Sequence, residues 1–202
     1  CCFVVASSGV TAAKTGAALE QYNRVSQRLT TGLEAWRTAT GRKDISMGAA
    51  IASSPGAHDQ IRELLATVST AVYSSQSLIE RFDQFLAEST KIIPTAGDAL
   101  ERGDLVEFGR LVELSQRGAE LALENQVPET IALVQEARKL GAFAASAFGA
   151  GFGGSVWALV DSSLSVALRD AWGEKYASLF PDAFEPAEFF ITRAGPAALR
   201  IR

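Results

Sequence analysis

One uncharged stretch limits what this chain can become: Leu140 to Val160, LGAFAASAFGAGFGGSVWALV. Its 21 residues hold five glycines, Gly141, Gly149, Gly151, Gly153 and Gly154, four of them within six positions. Roughly 20 apolar residues suffice to cross a bilayer. Each interior glycine, however, costs a helix up to ~1 kcal/mol, and no aromatic belt or Lys/Arg cluster flanks the stretch. Gly149, Gly151 and Gly154 spell G-x-G-x-x-G, but a dinucleotide fingerprint must follow a strand and open a helix. Here an apolar segment precedes the glycines and Ser155 to Val160 reads as a buried strand, so the element order is wrong. What remains is a glycine loop joining two strands. Residues without a Cβ let the main chain approach another group closely. Spacing alone leaves open whether that loop meets a phosphate or a phosphate-binding neighbour, or is a tight hairpin inside a core.

The rest of the composition narrows the function classes. The chain has 202 residues, 48% of them apolar and 21% charged, with a net charge of −4. Those are values of an ordinary globular protein. No Lys/Arg block is present, which argues against nucleic acid or an anionic membrane as the main partner. The two cysteines, Cys1 and Cys2, are adjacent and offer no disulfide framework; a reducing, cytoplasmic setting is expected. No basic region precedes an apolar segment, so no signal peptide is read at the start. Cys2 to Ala6 reads as a strand, and the chain is expected to begin in mid-fold with a large part upstream.

Along the chain, Ser7-Ser8-Gly9 is a turn cluster. Lys14 to about Thr30 is helix-compatible, with Leu19, Tyr22, Val25 and Leu29 on one face. Breaks follow at Gly41 to Asp44 and Ser53 to Gly56. His58, the only histidine, has no partners at ligand spacing and is read as a helix-start or surface residue; no metal site is expected. A strong helical period from Ile61 to Leu86 divides into two helices, the second opened by a capping box at Ser77 to Glu80. Pro94 is expected to end that run. Gly103 terminates a short segment, Asp104 caps the next helix, and Pro128 opens another from Glu129 to Leu140. After the glycine stretch, Asp161 or Ser162 caps a helix reaching about Tyr176. Strands are read at 188–193 and, past the Gly195-Pro196 turn, at 197–201. No internal repeat and no linker is evident, so residues 1–202 are read as one domain, with residues 1–10 as a junction strand shared with an absent part.

The run Gly141 to Ser155, GAFAASAFGAGFGGS, resembles the third, C-terminal motif of the GHMP small-molecule kinases, and most closely its galactokinase form, roughly G-A-x-x-x-x-T-G-x-G-F-G-G-C followed by an apolar strand. Phe148 stands where that form usually has Thr, and Ser155 where it usually has Cys. Other passages are similar to galactokinases: Ala6-Ser7-Ser8 ahead of Tyr22-Asn23, with Arg24 and Arg28 nearby; Arg81 and Glu88 from an R-x-x-H…E pattern whose His is missing; and Ala99 to Asp104 with Phe108 to Leu111 and Ser115-Gln116, where Gln116 replaces a His. Arg81 and Glu88 are read as structural.

The resemblance implies an α+β fold of the GHMP-kinase C-terminal domain type, a small antiparallel sheet from strands near 142–148, 155–160, 188–193 and 197–201, packed against amphipathic helices. It implies the C-terminal half of a sugar kinase that moves the ATP γ-phosphoryl to the anomeric hydroxyl of galactose or a related monosaccharide, with Mg²⁺. Gly149, Gly151, Gly153 and Gly154 would brace the phosphate loop, and Tyr22 would contact the sugar. The family's phosphate loop, P-x-G-x-G-L-x-S-S-x-A, and its N-terminal sugar signature are not in these residues. Catalytic residues and metal ligands are therefore expected upstream of Cys1, in a partner half, and this chain alone is expected to be inactive. Two rival expectations stand beside this one. The first is a non-catalytic sugar- and ATP-binding sensor with the same fold. The second, a free-standing helical interaction module, fits poorly with the apolar edge at Cys1 to Ala6 and the glycine stretch, since each wants a partner surface.

Overall fold

A computed structural model describes residues 1–11 and 17–196. The chain forms two compact units, each made of separated segments. One comprises Cys1–Ala12, Gly103–Glu113 and Gln126–Arg202, the other Ala13–Arg102 and Leu114–Asn125. No linker composition marks the division, because one boundary falls inside a continuous helix, α6 (Leu105–Gly118).

The first unit is built on a four-stranded antiparallel sheet in the order β2-β3-β1-β4. Its strands are β1 (Cys2–Ser7), β2 (Ala144–Phe148), β3 (Ser155–Val160) and β4 (Glu188–Thr192). β1, not among the strands expected in this sheet, pairs on both sides, Val4 opposite Ala158 of β3 and Ile191 of β4. Its β-branched residues and two-residue period suit that central position. Cys2, Val4 and Ala6 are buried on one face, and Phe3, Val5 and Ser7 turn to the other. The strand expected at 197–201 lies outside the described residues.

Helices cover both faces. On one, Leu133, Val134 and Ala137 of α7 (Pro128–Lys139) and Leu168, Trp172 and Tyr176 of α8 (Ser165–Leu179) pack on Val4, Ala6, Val156 and Ala158. The buried Trp172 spends its indole N–H on the Leu133 carbonyl at 3.0 Å. On the other face, Leu105, Phe108 and Val112 of α6 meet Phe3, Ala144, Trp157 and Leu159. Gly109 permits that approach, since a Cβ there would stand 1.9 Å from the Phe143 carbonyl oxygen. Asp104 caps α6 as expected, accepting from the Glu107 amide at 3.0 Å. α8 begins two or three residues later than a cap at Asp161 or Ser162 would place it. Asp161 folds back on the Ser163 amide and hydroxyl, at 2.8 and 2.6 Å, and so makes a turn before the helix. The short α9 (Pro181–Phe184) leads to β4.

The second unit is helical. Its core joins Leu33 and Trp36 of α1 (Ala17–Thr40), Met47 and Ala50 of α2 (Met47–Ile51), Ile61 and Leu65 of α3 (Ala57–Thr67), and Leu78 and Phe82 of α4 (Ser75–Ala87), together with Tyr73. α1 runs ten residues past its expected end. Gly32 continues it because α1 passes close to its neighbours there; a Cβ would lie 3.3 Å from Leu65 Cδ2. Gly41, at φ 70°, then ends α1, its amide bonded to the Arg37 carbonyl at 2.9 Å. The cap of α4 is Ser74, whose hydroxyl accepts from the Ser77 amide at 3.2 Å, and not Ser77 itself. Pro94 does not stop the helix either. A π turn at Glu88–Ile92 passes into α5 (Ile93–Glu101) with Pro94 in its first turn, where a missing N–H costs little. A second π turn, Ala119–Leu123, follows α6. Among the described residues no helix is long and apolar enough to cross a membrane.

Candidate functional site

The four glycines singled out in the sequence come together in one loop. β2 and β3 form a hairpin closed by the pair Phe148–Ser155, and residues 149 to 154 connect them. Positive φ runs through nearly the whole connection: Gly149 at 92°, Gly151 at 90°, Phe152 at 62°, Gly153 at 122° and Gly154 at 86°. L-residues rarely adopt this region, and each non-glycine held there costs on the order of 1 kcal/mol or more. Phe152 bears that strain within the loop. The loop is thus held in a shape that an ordinary sequence would not adopt.

What holds it is the turn after β1. The Ser8 amide donates to the Gly154 carbonyl at 2.8 Å, and the Gly154 amide donates to the Val10 carbonyl at 2.9 Å. Within the turn, the Val10 amide donates to Ser8 Oγ at 3.2 Å. Ser8 is 0% exposed, and its carbonyl accepts the Tyr176 hydroxyl at 2.6 Å. Burial, with a smaller contribution from Glu129, pushes the Tyr176 phenol up to about 12. It therefore stays a neutral donor across ordinary pH. Gly153 is required twice over, by its φ and by space, since a Cβ would stand 2.6 Å from the Val10 oxygen. The inner part of the loop, Gly151 and Gly153, is buried, and the tip, Phe148 to Ala150, is exposed. Phe148, where the resemblance led one to look for a hydroxyl, presents its ring at 49% exposure.

The seat of the loop, Ser8 to Val10, escaped the sequence reading. The Ser7-Ser8-Gly9 cluster was legible as a turn, but nothing local showed that it would clasp a loop some 140 residues away. Tyr22 falls within α1 of the helical unit, and its side chain lies outside the described residues. Its neighbour Asn23 lines a cleft of about 350 Å³ with Gln21, Arg24, Gln27, Val72 and Tyr73, in which the Tyr73 hydroxyl donates to Gln27 Oε1 at 3.1 Å.

Arg24, Arg28, Arg81, Glu88, Ser115 and Gln116, also part of the resemblance, are ties within the helical unit. Arg28, 3% exposed, donates to the carbonyls of Ala122 and Leu123 at 2.6 and 3.1 Å, closing the carbonyl end of the second π turn. Arg24 pairs with Glu124 at 3.5 Å. Arg81 Nε reaches the Val25 carbonyl at 3.2 Å. Ser115 donates to Glu88 at 2.8 Å, and Gln116, where a His was the family pattern, donates to Glu120 at 2.9 Å. His58 lies in the first turn of α3, half-exposed, 3.4 Å from Asp59. Among the described residues no group of three or more His, Cys, Asp or Glu could hold a metal ion.

The family model for the GHMP kinases C terminal matches residues 98–178. The galactokinase of Pyrococcus furiosus is 30% identical over 112 residues, 55% of this chain and 31% of that protein. The galactokinase of Thermococcus kodakarensis is 35% identical over 96 residues, 48% of this chain and 27% of that one. The crystal structure of Lactococcus lactis galactokinase complexed with galactose superposes with a TM-score of 0.74 at 25% identity, over 96% of this chain and 45% of that chain. The chain is thus similar to galactokinases, with its match to the GHMP kinases C terminal confined to residues 98–178. It spans about a third or less of the two archaeal relatives it matches and somewhat under half of the solved one.

Proposed function

We propose that this chain is the C-terminal half of a sugar kinase that transfers the γ-phosphoryl of ATP to the anomeric hydroxyl of galactose or a closely related monosaccharide. The observation that carries the reading is the strained glycine hairpin, seated on Ser8 to Val10, in a fold shared with a galactokinase solved with galactose. Phosphoryl transfer asks a protein mainly to position groups and to stabilise charge. A rigid loop of glycines does the first by bringing main chain where side chains would collide. In this reading Gly149, Gly151, Gly153 and Gly154 brace the phosphate-binding loop of the remaining part of the enzyme, and Tyr22 contacts the sugar. The catalytic base, the cation beside it and the ligands of Mg²⁺ belong to the region of the relatives that these residues do not span. The two free cysteines suit a cytoplasmic enzyme.

The test is ADP release with Mg-ATP and a panel of free sugars including galactose. It is run on this chain alone and on the protein with a galactokinase N-terminal region ahead of it. The expected result is no turnover for the chain alone and galactose-dependent turnover for the longer protein. Turnover by the chain alone would mean that it holds a complete site. A longer protein that binds galactose and ATP without turnover would make it a sensor.

A further inference from the structure

We infer that a cleft in the helical unit binds a small organic anion with an apolar body. The cleft encloses about 560 Å³ among the end of α2, the start of α3, α4 and the first π turn. Small-molecule sites span roughly 300–1,000 Å³ and are mostly apolar with a few polar groups that fix orientation. This one divides in that way. Ile51, Leu86 and Ala87 supply apolar wall; His58, Asp83, Thr90 and Lys91 supply the polar part.

The polar groups are not equally available. Asp83 takes Arg62 Nε on both carboxylate oxygens, at 3.0 and 3.1 Å, and its charge is thereby matched. Thr90 Oγ1 is spent on the Leu86 carbonyl at 2.7 Å. Lys91 has no ion pair among the described residues, and its ammonium carries three donors. The imidazole of His58 is half-exposed, but its Nε2 already faces Asp59 Oδ1 at 3.4 Å, so the donors left to a ligand are those of Lys91. The charge left to be complemented is therefore positive. An anionic head group pairs it, while a neutral or cationic ligand leaves it unmatched. The wall that presents Thr90 and Lys91 is the π turn itself, where the Ile93 amide bonds back to Glu88. Such turns appear mostly singly, inside α-helices and frequently at functional sites. None of the lining residues belongs to the glycine hairpin, and the inference does not depend on the kinase reading.

The experiment titrates the whole 202-residue chain with naphthalene-2-carboxylate and with its uncharged amide, followed by protein-observed NMR. The carboxylate is expected to saturate below about 1 mM, corresponding to roughly 4 kcal/mol of binding. The amide should bind about three- to fivefold more weakly, the scale of one partly exposed charge pair. Lys91→Met, which keeps the aliphatic stem, should impose the same loss on the carboxylate and none on the amide. Ile51→Trp, which fills the apolar wall, should abolish both. Absence of saturation in the wild-type chain, or unchanged carboxylate affinity in Lys91→Met, would overturn the assignment, and neither reading requires the tryptophan variant to fold.

Discussion

Gly109 and Gly32 both sit inside helices, one in each unit, and they are there for different reasons. At Gly109 a Cβ would meet backbone, the Phe143 carbonyl oxygen at 1.9 Å; at Gly32 it would meet the ends of two flexible side chains, Leu65 at 3.3 Å and Met47 at 3.4 Å. The sheet unit is built around fixed main chain: β1 clasped on both sides, the hairpin bonded to Ser8 and Val10, and α6 resting on a carbonyl. The helical unit is built around side chains that can move, with two π turns absorbing irregularity in its helices.

Three substitutions sharpen that contrast, in descending order of effect. Gly109→Ala should destabilise the protein by about 3 kcal/mol, the upper part of the usual overpacking range, because a carbonyl cannot rotate away as a side chain can. Chemical denaturation measures it. Tyr176→Phe should cost about 1–2 kcal/mol, since it leaves the buried Ser8 carbonyl without its donor. The same variant gives a pH test. With the folded phenol raised to about 12 against an ordinary 10, the folded state holds its proton more tightly. The contribution of Tyr176 is therefore fully present below pH ~10 and is lost as pH rises towards ~12. The stability difference between wild type and Tyr176→Phe should narrow across that window; a constant difference would remove the phenol from the account. Gly32→Ala should change stability by less than about 1 kcal/mol, because the gain in helix propensity offsets the slight crowding of Leu65 and Met47. A loss there as large as at Gly109 would erase the distinction between the two units.

The same contrast explains what the sequence disclosed. The β2 and β3 strands, the glycine loop, the Asp104 cap, the apolar stripes of α3 and α4 and the proline start of α7 rest on local signals, and they were legible within a few residues. The helical unit misled where tertiary contact overrode local preference. The helix read as ending near Thr30 continues through Gly32, where α1 closely approaches α3. Pro94 reads as a terminator but is carried in a first helical turn behind a wider one. Ser77-Leu78-Ile79-Glu80 has the form of a capping box, yet the chain turns three residues earlier, at Ser74. At the candidate site the glycines were visible and their seat was not. The hydrogen bonds that tie Gly154 to Ser8 and Val10 join positions far apart in the chain, and no periodicity carries that information.

In the proposed function the strained hairpin serves phosphoryl transfer and does more than join two strands. Gly151→Val in the protein extended by the galactokinase N-terminal region tests it most directly. Gly151 is buried at φ 90°, where a β-branched residue cannot sit without shifting the loop. The account predicts a fall of about 100-fold in kcat for galactose-dependent ADP release, the scale of a misplacement of about 1 Å in a positioning element. Circular dichroism should stay close to wild type and unfolding should stay cooperative, with stability lowered by about 1–3 kcal/mol from the strain at position 151, because the sheet below the loop is unchanged. Wild-type turnover from a folded Gly151→Val protein would contradict the account and leave the hairpin with a structural role alone.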